Sequence, residues 1–232
     1  MVLVDIIGSF GSGKSSLVKL LSKDLGAVPY LEDPDKVPML KQYYAGGKES
    51  RKQLAFALQI AWLDIRYTQL KQAIHDDWAV MDSNLIADSC VYKTIYQRGE
   101  TTEAEYNVYL GLLKHMLNNV AGDPKGAYPD LYVYLDISPE NEVKEILGRG
   151  RKMETADPKL IEYYYSINKG FSDWYKGYSQ SPVLRINRND VDFVNNKKDT
   201  IKVLNKIENK LVDLGKLSEK EFDEIKKRRK MI

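Results

Sequence analysis

Short apolar runs alternate with longer amphipathic stretches along this chain. Runs over residues 2–7, 28–31, 78–82, 131–136 and 183–186 read as strands, and helical periodicity fills the intervals between them. The alternation predicts an α/β fold, with a five-stranded parallel sheet flanked by helices on both faces. In such sheets ligands sit at the carboxyl ends of the strands. The positions to interrogate are therefore the glycine-rich turn after the first strand, Glu32, Asp82, Asp136 and Asn187.

The helical stretches carry their own markers. Residues 15–25 put Leu17, Val18, Leu20, Leu21 and Leu25 on one side, and residues 51–74 do the same for Leu54, Leu58, Trp62, Ile65 and Leu70. Gln59 and Arg66 lie seven apart in that second stretch and share a face. Residues 85–96 and 102–120 read as a helix pair broken at Arg98-Gly99, with Thr101 or Thr102 as a cap, and residues 121–129 as a Gly/Pro loop. Pro139 opens a further helix with Glu140 and Glu142 in its first turn. In residues 161–178, Tyr163 to Tyr165, Phe171 and Trp174 recur at helical intervals, which favours packing over a base-stacking platform. Residues 197–214 form the last long helix. The tail ends Lys226-Lys227-Arg228-Arg229-Lys230, either an anion-binding patch or a solvated helix end, and its shortness favours the second.

At 232 residues the chain suits one domain, over 1–214, followed by a charged tail over 215–232. The apolar share of 43% and charged share of 29% are those of an ordinary globular protein, and a net charge of +2 decides nothing about anionic partners. One cysteine, Cys90, rules out an intrachain disulfide framework and suits a reducing compartment; it reads as a packed residue. No apolar run approaches the ~20 residues of a membrane span, and the early first strand leaves no signal peptide, so a cytoplasmic location is expected. His75 and His115 lack metal-ligand spacing.

The chemistry begins where the first strand ends. Gly8-Ser9-Phe10-Gly11-Ser12-Gly13-Lys14-Ser15 fits G-x-x-x-x-G-K-[ST] between a strand and a helix, the context this phosphate-binding motif requires, and Ser16 continues it. The glycines let successive N–H groups curl round a phosphate chain, and Lys14 adds a point charge for the outer phosphates. The Ser15 hydroxyl suits a hard cation, which points to ATP with Mg²⁺. Asp82, ending the third strand, would share that metal or else cap the helix near Leu85.

Glu32 stands at the carboxyl edge facing the loop. Its carboxylate can take a proton from an attacking hydroxyl, or it can merely cap the turn before Pro34; position alone leaves both open. Arg149-Gly150-Arg151-Lys152 crowds cations around a glycine, as a lid over about 149–157 closing on phosphates would, or as a solvated helix end would. Gln59 offers donor and acceptor together to a base edge. Asp88 near Arg66 would complete a polar floor, or form a plain interhelical ion pair.

Taken together, these motifs resemble the deoxynucleoside kinase family, in particular the bacterial deoxyadenosine and deoxyguanosine kinases, over about residues 2–212. The likeness rests on the phosphate loop, Glu32 before Pro38-Met39-Leu40, Phe56 to Ile60 with Arg66, Asp82 and Asp88, Arg149-Gly150-Arg151 with Glu154, and Asp190 to Val194. It implies a P-loop NTPase-like fold, ATP and Mg²⁺, and a homodimer through the helices flanking residues 85–120. It also implies Glu32 as base on the 5′-hydroxyl, Gln59 pairing with the nucleobase, and Arg66 and Asp88 tuning base choice. Arg149 and Arg151 would hold phosphates, and Glu154 with Tyr43 or, as the favoured one, Tyr44 would hold the sugar 3′-hydroxyl. Two departures stand out: Asp82-Ser83-Asn84 lacks the arginine the family carries after this acid, and Glu145 stands where a further lid arginine often occurs. The reading is an ATP-dependent deoxynucleoside kinase with a purine acceptor. The rivals are a nucleoside monophosphate kinase on the same fold and a nucleotide-binding regulator without catalysis.

Overall fold

The computed structural model describes residues 1–120, 127–155 and 157–230, so most of the expected Gly/Pro loop lies outside the described residues. Strands β1 (Val2–Gly8), β2 (Val28–Tyr30), β3 (Trp78–Asp82), β4 (Leu131–Asp136) and β5 (Val183–Asn187) pair in parallel in the order β2-β3-β1-β4-β5. The five expected strands are present, each within a residue or so of its expected ends.

Strand geometry sends alternate side chains of β1 to opposite faces. Leu3 and Ile7 enter one apolar cluster, while Val2, Val4 and Ile6 enter the other. Helices α1 (Lys14–Leu25), α8 (Lys197–Asp213) and α9 (Glu219–Lys230) cover the second face through Leu17, Val18, Leu21, Val203, Leu204, Ile207 and Leu211. The first face is covered by α2 (Leu40–Ala45), α3 (Gly47–Ala73), α4 (Leu85–Gln97), α5 (Glu103–Asn119), α6 (Pro139–Arg149) and α7 (Leu160–Gly177). Each fully buried aliphatic side chain in these layers contributes roughly 1.5–3 kcal/mol, which is what holds the carboxyl edge of the sheet in place.

Three features depart from the apolar pattern. α2 has six residues and no side-chain cap, too short for periodicity to reveal it. Asp5 interrupts the apolar run of β1, and its carboxylate is fully buried with no hydrogen-bond partner; burial, then the neighbouring Asp82, hold its pKa well above the usual range. The tail is not a solvated end: Leu217, Phe222 and Ile225 are buried in the second cluster. Arg229 pairs with buried Glu208 and with Asp24 of α1, and Arg228 donates to the Asp24 carbonyl at 2.8 Å. Sequence showed the charges of this helix but not the three apolar residues as a docking face.

Candidate functional site

β1 delivers the chain into the phosphate loop under tight packing. A Cβ on Gly8 would lie 2.8 Å from the Leu135 carbonyl oxygen of β4, and Gly13 holds a left-handed φ of +96° as it caps α1. No side chain caps α1, so the N–H groups of its first turn face the loop, where the helix dipole favours an anion. Inside the loop, Ser12 Oγ donates to the Ser9 carbonyl at 2.8 Å and Lys14 Nζ donates to the same oxygen at 3.1 Å. Phe10, Gly11, Gly13, Lys14, Ser15 and Ser16 line a cavity of about 350 Å³, whereas Gly8, Ser9 and Ser12 shape the turn from behind its wall.

Ser15 and Asp82 meet across α1 and β3. Ser15 Oγ donates to Asp82 Oδ2, and the second Asp82 oxygen is buried without a partner. Burial, then the negative charge of Glu32, push the Asp82 pKa up to about 6, against the pull of Lys14 and the Ser15 bond.

The far end of the same cavity is lined by Glu32, Tyr44, Gln59, Arg66, Asp88 and Glu154. Arg66, on α3, donates through Nη2 to Glu32 Oε1 and through Nη1 to Asp88 Oδ1, with its guanidinium 4.9 Å from the Trp62 ring centroid. Burial opposes the Arg66 charge, but Asp88 and Glu32 outweigh it and raise its pKa. Tyr109 of α5 donates to Asp88 Oδ2 at 2.7 Å. Burial still lifts Asp88 to a pKa of about 6, although Arg66 and Tyr109 stabilise the charged form. Gln59 is buried on the Arg66 face of α3, as the seven-residue spacing predicts, and its Oε1 lacks a protein partner. Tyr43, the alternative to Tyr44, is buried in the core and absent from the cavity wall. Tyr163 packs in α7 as expected, but it also lines the cavity.

The segment expected to form a lid turns where Gly150 caps α6 with φ +65°. The crowded cations find their anion in Glu154, 3.0 Å from Arg149 and 3.4 Å from Arg151, and Tyr164 Oη donates to the Glu154 carbonyl at 2.7 Å. Buried Arg51 ties α3 to the far end of this segment through Asp157 at 3.1 Å.

Both departures from the family pattern have structural counterparts. Ser83 takes a left-handed φ of +68°, unique among the described non-glycine residues, a conformation that costs on the order of 1–3 kcal/mol. It turns the chain so that Asn84 caps α4, accepting from the Ile86 N–H at 2.8 Å, and donates to the Tyr132 hydroxyl at 2.7 Å. Arg66 supplies the cation between Glu32 and Asp88. Glu145 faces Arg188, a buried arginine on the cavity wall just after β5. Arg188 follows Asn187, so the strand-end rule pointed within one residue of it. Glu142 is a further surprise. Read from sequence as a first-turn acid, it is fully buried behind the loop, bonded at 2.5 Å to Asn168, which also contacts Ser9 at 3.4 Å.

Comparisons with known proteins find similar chains. A deoxyguanosine kinase of Lactobacillus johnsonii is 35% identical over 221 residues, spanning 94% of this chain and 96% of its own. A deoxyadenosine kinase of Lactobacillus acidophilus is 33% identical over 217 residues, with coverages of 93% and 99%. The structure of a deoxyadenosine kinase from M. mycoides with bound dATP superimposes with a TM-score of 0.70 at 27% identity, covering 89% of this chain and 99% of that one. The deoxynucleoside kinase family matches residues 4–213, and the chain belongs to that family.

Proposed function

We propose that this enzyme transfers the γ-phosphoryl group of ATP to the 5′-hydroxyl of a deoxynucleoside, with purine deoxynucleosides as its preferred acceptors. One observation carries the reading: a single cavity runs from the phosphate loop to Glu32 and on to the floor of Gln59, Arg66 and Asp88. The purine preference draws on the deoxyguanosine and deoxyadenosine kinases among its relatives.

The donor phosphates lie against the loop N–H groups and Lys14, as in other nucleotide-binding loops of this motif. Glu32 takes the proton of the 5′-hydroxyl as it attacks, a role worth ~10²–10⁴ in rate. Arg66 holds that carboxylate in place and is itself anchored on its other side by Asp88. Gln59 and Asp88 meet the base edge, Tyr44 and Glu154 the sugar, and Arg149 and Arg151 the charge that spreads over the transferred group. When the lid closes, the ion pairs to Glu154 exchange partners and water is excluded.

The residues fit Mg²⁺. Ser15 Oγ and the unpartnered Asp82 oxygen are hard donors side by side. Among the described residues no three His, Cys, Asp or Glu side chains converge into a closed cage, so water and phosphate would fill the other positions. Ser15 and Asp82 would hold Mg²⁺ there, and the ion would supply neutralisation of the donor's phosphate charge. A homodimer through α4 and α5 and a cytoplasmic location belong to the same reading, and no described helix is long and apolar enough to cross a membrane.

The test is ATP consumption with each deoxynucleoside and each deoxynucleoside monophosphate in turn. Turnover with deoxyadenosine or deoxyguanosine is expected; turnover with monophosphates alone would contradict the proposal.

A further inference from the structure

Arg188 is a buried cation, its side chain only 5% exposed, that the reaction above leaves without a task. Three sides of its guanidinium are fixed. Nε donates to the Ser12 carbonyl of the phosphate loop at 3.2 Å, Nη1 donates to the Val191 carbonyl, and the group lies 4.8 Å from the Phe193 ring centroid. The fourth side is not. Nη2 has Glu145 Oε1 at 3.6 Å and Asp192 Oδ1 at 3.8 Å, both beyond hydrogen-bond range and both on side chains about half exposed at 48% and 47%. A rigidly seated arginine thus presents, at the cavity wall beside the phosphate loop, one edge without a protein hydrogen-bond partner.

We propose that Arg188 Nη2 binds a phosphate oxygen of the donor nucleotide, and that Glu145 is the counter-ion this phosphate displaces. The inference rests on the phosphate-donor reading of the loop. Three facts support it. The planar fork of arginine suits phosphate, and here it is pre-organised by backbone acceptors rather than free to search. Its Nε would lie only 3.6 Å from a Cβ on Gly13, the residue that caps α1, so the cation stands at the helix end that favours anions. With Lys14 and the helix end nearby, an anion must balance Arg188 between turnovers; Glu145 on α6 is the nearer acid, whereas Asp192 is tied to the Val194 and Asn195 N–H groups at 3.2 and 3.1 Å. The position on the lid helix that carries an acid is thereby matched by a cation supplied from the sheet. Because α6 runs on into Arg149, exchange of Glu145 for phosphate occurs at the base of the lid.

Equilibrium binding of a non-hydrolysable ATP analogue, together with KM for ATP and for the deoxynucleoside, tests this. Arg188→Gln is expected to weaken analogue binding roughly ten- to hundredfold, the worth of one hydrogen bond to a charged group, while the deoxynucleoside KM stays within about twofold. Glu145→Gln is expected to tighten analogue binding about two- to fivefold, the worth of a half-exposed ion pair. In the double variant that gain disappears, because its cause is the pairing with Arg188. Unchanged analogue binding in Arg188→Gln would overturn the proposal. So would a parallel rise in both KM values with a lower Tm, the mark of a mere prop for the loop, or weaker binding in Glu145→Gln. Wild-type protein that fails to bind the analogue would sink the phosphate-donor reading itself, a separate result.

Discussion

Replacing Arg66 with methionine removes the cation that two carboxylates share and leaves a side chain of similar length against Trp62. The two arms differ. Asp88 is 2% exposed and Glu32 26%, so most of the loss falls on the Asp88 arm. Breaking one half of a buried pair costs about 3–5 kcal/mol, and the surviving Tyr109 bond places this case near the lower end. The pH dependence follows from Asp88, whose pKa stands at about 6 in the wild type with Arg66 pulling it down. Without Arg66 it rises further. Above pH ~6 the variant's native state then retains a proton that wild type has lost, so its stability deficit grows with pH by up to about 1.4 kcal/mol per unit. Chemical denaturation at pH 6 and pH 8 measures this, with kcat and the deoxynucleoside KM determined in parallel. The deficit is expected to be larger at pH 8, kcat to fall at least ~10-fold through loss of Glu32 orientation, and KM to rise. Arg66→Lys, whose ammonium cannot span both acids, is expected to fall between. A deficit that does not change with pH, or unaltered kcat and KM, would mean that Arg66 does not bridge the two acids.

Other outcomes follow from the same geometry. Burial lifts Glu142 from 4.5 to a pKa of about 7, so its native state holds a proton through that window and wild-type stability falls as pH rises across it. Glu142→Gln keeps the Asn168 bond and removes the titration, so its Tm is expected to climb relative to wild type from pH 5 to pH 8, by no more than about 3 kcal/mol in stability; a flat difference would contradict it. Asp82 ionises near pH 6, so the Mg²⁺ needed for half-maximal activity is expected to rise below that pH more steeply in wild type than in Asp82→Asn, and equal slopes would remove Asp82 as a ligand. Truncation after Gly215 strips the buried Leu217, Phe222 and Ile225 and leaves Glu208 unpaired, which is expected to lower stability on the order of 5 kcal/mol, whereas an unchanged Tm would mean the helix does not dock.

Much of this architecture was legible because it rests on local pattern. The loop motif, the strand alternation and the seven-residue interval between Gln59 and Arg66 each carry geometry in their spacing, and the structure places them as that spacing requires. What spacing could not show was pairing across elements. Arg66 was expected to meet Asp88, but its second bond, to Glu32 after β2, depends on how α3 crosses the sheet edge. Arg188 and Glu145 are 43 positions apart, and nothing local to either reveals that one faces the other. Glu142 is the clearest case of ambiguity. An acid in a helix's first turn is normally read as exposed and dipole-stabilised, and only the packing of α6 on the phosphate loop buries it. The tail misled for a related reason: its five adjacent cations dominate its composition, while the three apolar residues that dock it are spread over nine positions, 217 to 225.

In the proposed reaction one cavity brings an ATP phosphate to a hydroxyl whose proton Glu32 receives. The most direct test compares wild type with Glu32→Gln in a single-turnover reaction with ATP and deoxyadenosine or deoxyguanosine, following the 5′-monophosphate while binding of an ATP analogue is measured separately. Wild type is expected to yield 5′-monophosphate, and the variant to react ~10²–10⁴-fold more slowly with undiminished analogue binding. An undiminished rate in Glu32→Gln, or no 5′-monophosphate from wild type with any deoxynucleoside, would contradict the proposed reaction.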